Sequence, residues 1–141
     1  MLPRERVKNN QPHRVPLSSA AMAVLESLTG GAGPYVLSRN GTTPLSGFSK
    51  AKRRIDALLP ETIPHWTFHD LRRTAATRMA RLGVALPVIE KILNHTSGSF
   101  AGMVGVYQRH DFADEKREAL ELWGKFVLEQ VSRDRPGLSG E

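Results

Sequence analysis

Tyr107 follows His95 by twelve residues, and both come after the run Thr67-Phe68-His69-Asp70-Leu71-Arg72-Arg73. A tyrosine oxygen can attack a phosphate diester only if nearby cations and donors take up the charge that builds on the phosphorane oxygens. His69 and Arg72, with His95 further along, supply such groups, and the chemistry they permit together is the cutting and rejoining of DNA. Taken singly, each residue has a simpler role. Tyr107 alone is a half-buried aromatic with a wet hydroxyl, His69 a residue at a helix start, His95 a partner for a helix end, and Arg72 half of a surface ion pair. The order of the set carries the information.

The bulk composition permits this reading. A chain of 141 residues with 40% hydrophobic content can build one compact domain. Twenty Lys and Arg against fourteen Asp and Glu give a net charge of +6, and the pI near 10.2 suits a polyanionic partner. The absence of cysteine removes disulfides, thiolate metal sites and cysteine nucleophiles. Five histidines remain, and no metal site is expected from them. No apolar run reaches the length of a membrane span and no signal-peptide core is present, so an intracellular, cytoplasmic protein is expected.

The elements that must position these residues are mainly helical. Residues 4–8 and 13–17 flank the turn-rich Asn9-Asn10-Gln11-Pro12, which predicts a β-hairpin with Lys8 at its tip. Ser18 can cap a helix with Met22, Leu25 and Leu28 on its apolar side, ended by Gly30-Gly31. Tyr35-Val36-Leu37 reads as a short strand, followed by a loop through Asn40-Gly41 to Pro44. A second helix from Ser46 or Ser49 has Phe48, Ala51, Ile55 and Leu58 as its buried stripe, stops at Pro60, and carries Lys50, Lys52, Arg53 and Arg54 on the other side. Such a charge run is usually a solvated face, and it is also the natural place for phosphate contacts.

From Asp70 to Arg81 the residues Leu71, Ala75, Met79 and Leu82 recur at helical spacing, with Gly83 as the stop. His69 and Arg72 therefore share the first turn. Leu86 to Asn94, with Pro87 in its first turn, makes a further helix, and the two together also read as a helix-turn-helix. Residues 96–105 are rich in Gly and Ser and lead as a loop into Tyr107. Asp114 caps a last helix, Glu115 to Gln130, with Ala119, Leu122, Trp123, Phe126 and Val127 on one side. One domain over 1–131 and a disordered tail over 132–141 are expected.

Residues 67–79 and 82–107 together resemble the catalytic core of the tyrosine recombinases, specifically the phage-type integrases. The run His-Asp-Leu-Arg-Arg-Thr-Ala-Ala-Thr stands at 69–77, the Leu-Asn-His element at 93–95, and the tyrosine in Tyr107-Gln108-Arg109-His110. Arg6-Val7-Lys8 and Val15-Pro16-Leu17-Ser18 look like that family's β-hairpin and its lysine, so the resemblance runs from about residue 4 to about 127. It implies the C-terminal part of a recombinase catalytic domain, mostly α with a small antiparallel sheet. It also implies site-specific integration or excision on double-stranded DNA, in a bacterial cell or phage-infected host, together with other recombinase protomers and without a cofactor.

The roles implied are residue by residue. Tyr107 would form a 3′-phosphotyrosine, Arg72 and His95 would hold the non-bridging oxygens, His69 would accept a proton, and Lys8 would protonate the leaving 5′-oxygen. Lys50, Lys52, Arg53, Arg54 and Arg73 would contact DNA. The family's other catalytic arginine, in an Ala-Arg-x-x-Glu helix before the hairpin, has no counterpart in residues 1–141, so weak DNA binding and little turnover are expected of this chain alone. A type IB topoisomerase, which shares the tyrosine chemistry, and a non-enzymatic helix-turn-helix regulator are the rival classes.

Overall fold

The structure is a computed structural model, and it describes residues 1–28, 33–38, 40–95 and 111–133. Among the described residues, five α-helices follow a 3₁₀ turn at Arg4–Arg6: α1 Ser19–Ser27, α2 Phe48–Asp56, α3 Phe68–Arg81, α4 Leu86–Leu93 and α5 Ala113–Arg133. α5 packs on α1, α3 and α4, and α3 packs on α4.

The expected sheet is not seen: among the described residues there is no strand, and the hairpin is reduced to one antiparallel bridge, Leu2 with His13. The local backbone explains this. Arg6, Val7 and Asn10 donate their N–H groups to the carbonyls of Pro3, Arg4 and Val7, so the groups a ladder would need are engaged in turns. Among the described residues no third strand is at hand to stabilise such a ribbon. Tyr35, Val36 and Leu37 are exposed, and the bond from Leu45 N–H to the Leu37 carbonyl at 2.8 Å is a turn closure rather than a strand pair.

The core forms where the helix periodicities agree. Met79 of α3, Val88, Ile89 and Ile92 of α4, and Ala119 of α5 are buried, with Ala75, Ala76, Val84, Leu93, Phe112, Leu120 and Trp123 packed around them. Gly83, at φ 86°, lets the chain reverse from α3 into α4. The approach of α1 to α5 depends on Gly124, since a Cβ there would lie 2.9 Å from Ser18 Oγ and 3.1 Å from Ala20 Cβ. Ser18 accepts from Ala21 N–H as the expected cap, and Glu121 of α5 adds a carboxylate at 2.8 Å from Ser19 N–H.

Several expected burials fail. Phe48, Ile55 and Leu58 of the α2 stripe are exposed, as are Leu71 on α3 and Met22 and Leu28 on the α1 side. Ala51 is exposed too. A periodic stripe states only that a helix has an apolar side, and here the packing helices cover the α3–α4–α5 side instead. α2 begins at Phe48 behind Gly47, which has φ 82° and no side-chain cap. The last helix is longer than expected, since it starts at Ala113 and includes Ser132 and Arg133, with Asp114 in its first turn rather than as its cap.

With so few buried side chains, each one matters. Met79 is 1% exposed, and its truncation removes contacts with both neighbouring helices. Met79→Ala is expected to lower stability by about 2–5 kcal/mol, whereas the volume-conserving Met79→Leu costs less than about 1.5 kcal/mol. Urea unfolding followed by circular dichroism measures both. Equal losses for the two variants would show that Met79 is not packed as described.

Candidate active site

The site is built at the C-terminal end of α4. Asn94 takes a left-handed conformation, φ 51° and ψ 41°, and His95 N–H donates to the Glu90 carbonyl at 2.9 Å. This closes the helix in the manner of a Schellman turn and brings His95 out exposed at a fixed place. Arg72, half-buried on α3, donates from Nη2 to the carbonyl of Leu93. Its guanidinium thus lies at the same helix end, one of whose unpaired carbonyls it satisfies.

The N-terminal turn docks onto this end. Asn9 Nδ2 donates to Asn94 Oδ1 at 2.9 Å, and His13 Nε2 is 3.1 Å from the Ile92 carbonyl. Lys8, exposed and next to Asn9, is therefore held beside the Asn94-His95 turn without the hairpin that was expected to carry it. Segments far apart in the chain meet here through the Asn9–Asn94 and Arg72–Leu93 contacts, with Lys8 the residue before Asn9 and His95 the residue after Asn94.

His69 is the second residue of α3 and is exposed. Its turn is fixed by a reciprocal cap: Thr67 N–H and Thr67 Oγ1 donate to Asp70 Oδ2 at 2.9 and 2.8 Å, and Asp70 N–H donates to the Thr67 carbonyl at 3.0 Å. The Thr67 hydroxyl and N–H, then Arg73 and His69, hold the Asp70 carboxyl below its usual range. A carboxyl with a depressed folded pKa contributes stability above its unfolded value and loses it as pH falls through the folded one. The cap around His69 is accordingly complete at neutral and mildly acidic pH. His65 and His69 stand four apart, but α3 begins at Phe68 and leaves His65 outside it. Among the described residues no group of three possible metal ligands forms.

Tyr107 lies outside the described residues. Of the residues expected to touch DNA, Lys50, Arg53 and Arg54 are exposed on α2, and Arg73 is exposed with Asp70 3.6 Å away. Lys52 departs from its expected place on a free cationic face. Its ammonium sits 2.7 Å from Asp56 and 4.5 Å from the centre of the Trp66 ring, which makes it a local clamp.

Sequence reasoning missed Asn9, Asn94, His13 and the Thr67–Asp70 cap. The cap was readable as a Thr-x-x-Asp start signal before an apolar run, and Asn94 as the left-handed stop of a short helix. Nothing in the sequence marks Asn9 or His13. Among the described residues no helix is long and apolar enough to cross a membrane.

Comparison with known proteins agrees with the motif order. The family model described as the phage integrase family matches residues 2–114, a range that includes Lys8, His69, Arg72, His95 and Tyr107. Prophage integrase IntA of Escherichia coli (strain K12) is 29% identical over 130 residues, covering 89% of this chain and 30% of the relative, so the chain spans less than a third of that protein's length. No solved structure matches. With its motifs in the family's order and most of its length within the family model, the chain belongs to the phage integrase family, the tyrosine recombinases that its sequence resembles.

Proposed function

We propose that this chain supplies the C-terminal part of the catalytic domain of a site-specific recombinase that cuts and rejoins double-stranded DNA. The observation that carries the reading is the gathering of three segments at one helix end, where Asn9–Asn94 and Arg72–Leu93 contacts that span 85 and 21 residues of sequence bring Arg72 and the neighbours of Lys8 and His95 together. Packing alone does not require an arginine to cap this short helix end beside segments that carry Lys8 and His95.

In this reading the Tyr107 oxygen attacks the scissile phosphorus and forms a P–O bond as the bond to the 5′-oxygen breaks. His69 takes the phenol proton and Lys8 delivers one to the 5′-oxygen, while Arg72 and His95 hold the non-bridging oxygens. The 3′-phosphotyrosine conserves the phosphodiester energy, so a 5′-hydroxyl can reverse the step without a nucleotide or a metal. Other protomers of the recombinase would bring the second DNA site. A helix-turn-helix reading of α3 and α4 fits less well, because α4 buries Val88, Ile89 and Ile92 in the core and Lys91 is its one basic residue.

A nicked suicide duplex tests the proposal. A protein in which residues 1–141 follow an Ala-Arg-x-x-Glu helix should become covalently attached to the 3′-phosphate, and peptide mapping should place the adduct on Tyr107. An adduct at another residue, or relaxation of supercoiled plasmid with no pairing of sites, would remove the recombinase assignment.

DNA binding by the 141-residue chain itself is expected to be weak, nearly sequence-independent and steeply dependent on salt, because counterion release dominates contacts of this type. Replacing Lys50, Arg53 or Arg54 by Ala should each flatten the logarithmic salt slope by about 1. Lys52→Ala should change that slope least, since Asp56 already neutralises its charge. Fluorescence anisotropy over a salt series reads both effects. Tight binding that ignores salt would contradict the expectation, as would a dominant effect of Lys52.

A further inference from the structure

The largest fully buried side chain of the described residues is a lysine. Lys116, in the first turn of α5, is 2% exposed, and nothing about helix stability calls for it there, since a cation near a helix N-terminus opposes the dipole. Burying an ammonium is costly unless it is paired and hydrogen-bonded. Lys116 Nζ donates to Asp111 Oδ1 at 2.8 Å and to the Arg14 carbonyl at 3.3 Å. A methionine would fill the same space with none of these requirements.

Both partners are the ends of segments that bear site residues. Asp111 stands four residues after Tyr107, and the turn that follows it is sharp: Phe112 has φ 50°, and its carbonyl accepts Lys116 N–H at 2.8 Å. Arg14 adjoins His13, whose backbone pairs with Leu2 and whose ring lies against the Ile92 carbonyl. One ammonium therefore joins the point where the Tyr107 segment enters α5 to the turn that carries Lys8.

We propose that Lys116 is a positioning residue, which through Asp111 and the Arg14 carbonyl sets the tether of the nucleophile Tyr107 relative to the tether of the proton donor Lys8. The inference rests on the roles given to those two residues above. In-line attack needs nucleophile and leaving oxygen on opposite sides of one phosphorus, so an error in the spacing of the two tethers lowers the rate without altering how the chain grips DNA.

The test uses the protein that carries residues 1–141 behind the upstream helix, with Lys116→Met, Asp111→Asn and the double variant, in single-turnover adduct formation at saturating suicide duplex. Each single variant should slow adduct formation by about 10- to 100-fold with an unchanged dissociation constant for the duplex; the midpoint of thermal unfolding should hold in Lys116→Met and fall in Asp111→Asn, which leaves the buried ammonium without its carboxylate. The double variant should be no slower than the worse single one, because both break one link. An unchanged rate, an additive double variant, or, in Lys116→Met, a parallel fall in rate, binding and thermal midpoint would each overturn the proposal. Hydrogen exchange on the 141-residue chain covers the case in which the parent protein forms no adduct and the reading of Tyr107 itself fails. Lys116→Met should then speed exchange around both Asp111 and Arg14, and exchange unchanged at either one rejects the link.

Discussion

Tyr107→Phe is expected to abolish covalent attachment to a nicked suicide duplex in a protein that includes the upstream helix, with duplex binding retained. The phenyl ring keeps the size and removes the only atom that can form the bond to phosphorus, so no residual adduct is expected. The 141-residue chain alone should lie between these extremes, with adduct barely detectable. Its described residues offer one buried-side arginine at the site, Arg72, and loss of a single preorganised donor costs on the order of 10²–10³ in rate. Robust adduct from the chain alone would show that Arg72 and His95 suffice. Adduct surviving Tyr107→Phe would remove Tyr107 from its role.

Arg72→Ala should slow adduct formation by on the order of 10²–10³, and Arg72→Lys should recover little of it. The guanidinium is a rigid fork with five N–H donors; one nitrogen holds the Leu93 carbonyl, and in the proposed role the others are the donors to the phosphate. A lysine ammonium is a point charge on a flexible stem and cannot hold the helix end and two oxygens in one plane. Binding of uncleaved duplex should fall far less than the rate, since a single phosphate contact is one among several. Single-turnover rates beside anisotropy separate the two quantities. A lysine variant at the parental rate would mean that charge alone is required there.

The helices were legible in the sequence because periodicity, the Gly83 stop of α3 and Pro87 in the first turn of α4 agreed. Met79 was placed in the core by its spacing, and it is the most buried apolar residue among those described. The hairpin was not legible, because Asn9-Asn10-Gln11-Pro12 supports either a two-stranded turn or the consecutive turns that form, and the choice lies with the contacts of Asn9 and His13 to α4. Leu71 and Ile55 misled for a related reason. Their spacing marks an apolar side but not whether a neighbour covers it. Lys116 was invisible in principle, since a lysine in a helix's first turn reads as solvated and only tertiary packing reveals the carboxylate and carbonyl that admit it.

The left-handed turn at Asn94 gives a physical reading of a motif that otherwise looks like a matter of taste, the Leu-Asn-His element of the resemblance. Glycine and asparagine are the residues that most readily adopt this backbone conformation, so the middle position specifies a bend that delivers the histidine, and either residue satisfies it. The asparagine carries a second duty here, because its side chain is the one that Asn9 grips. Positions 9 and 94 should therefore drift together in related sequences. Where the later position becomes glycine, the earlier one is released from its amide, and the lysine beside it must find another hold.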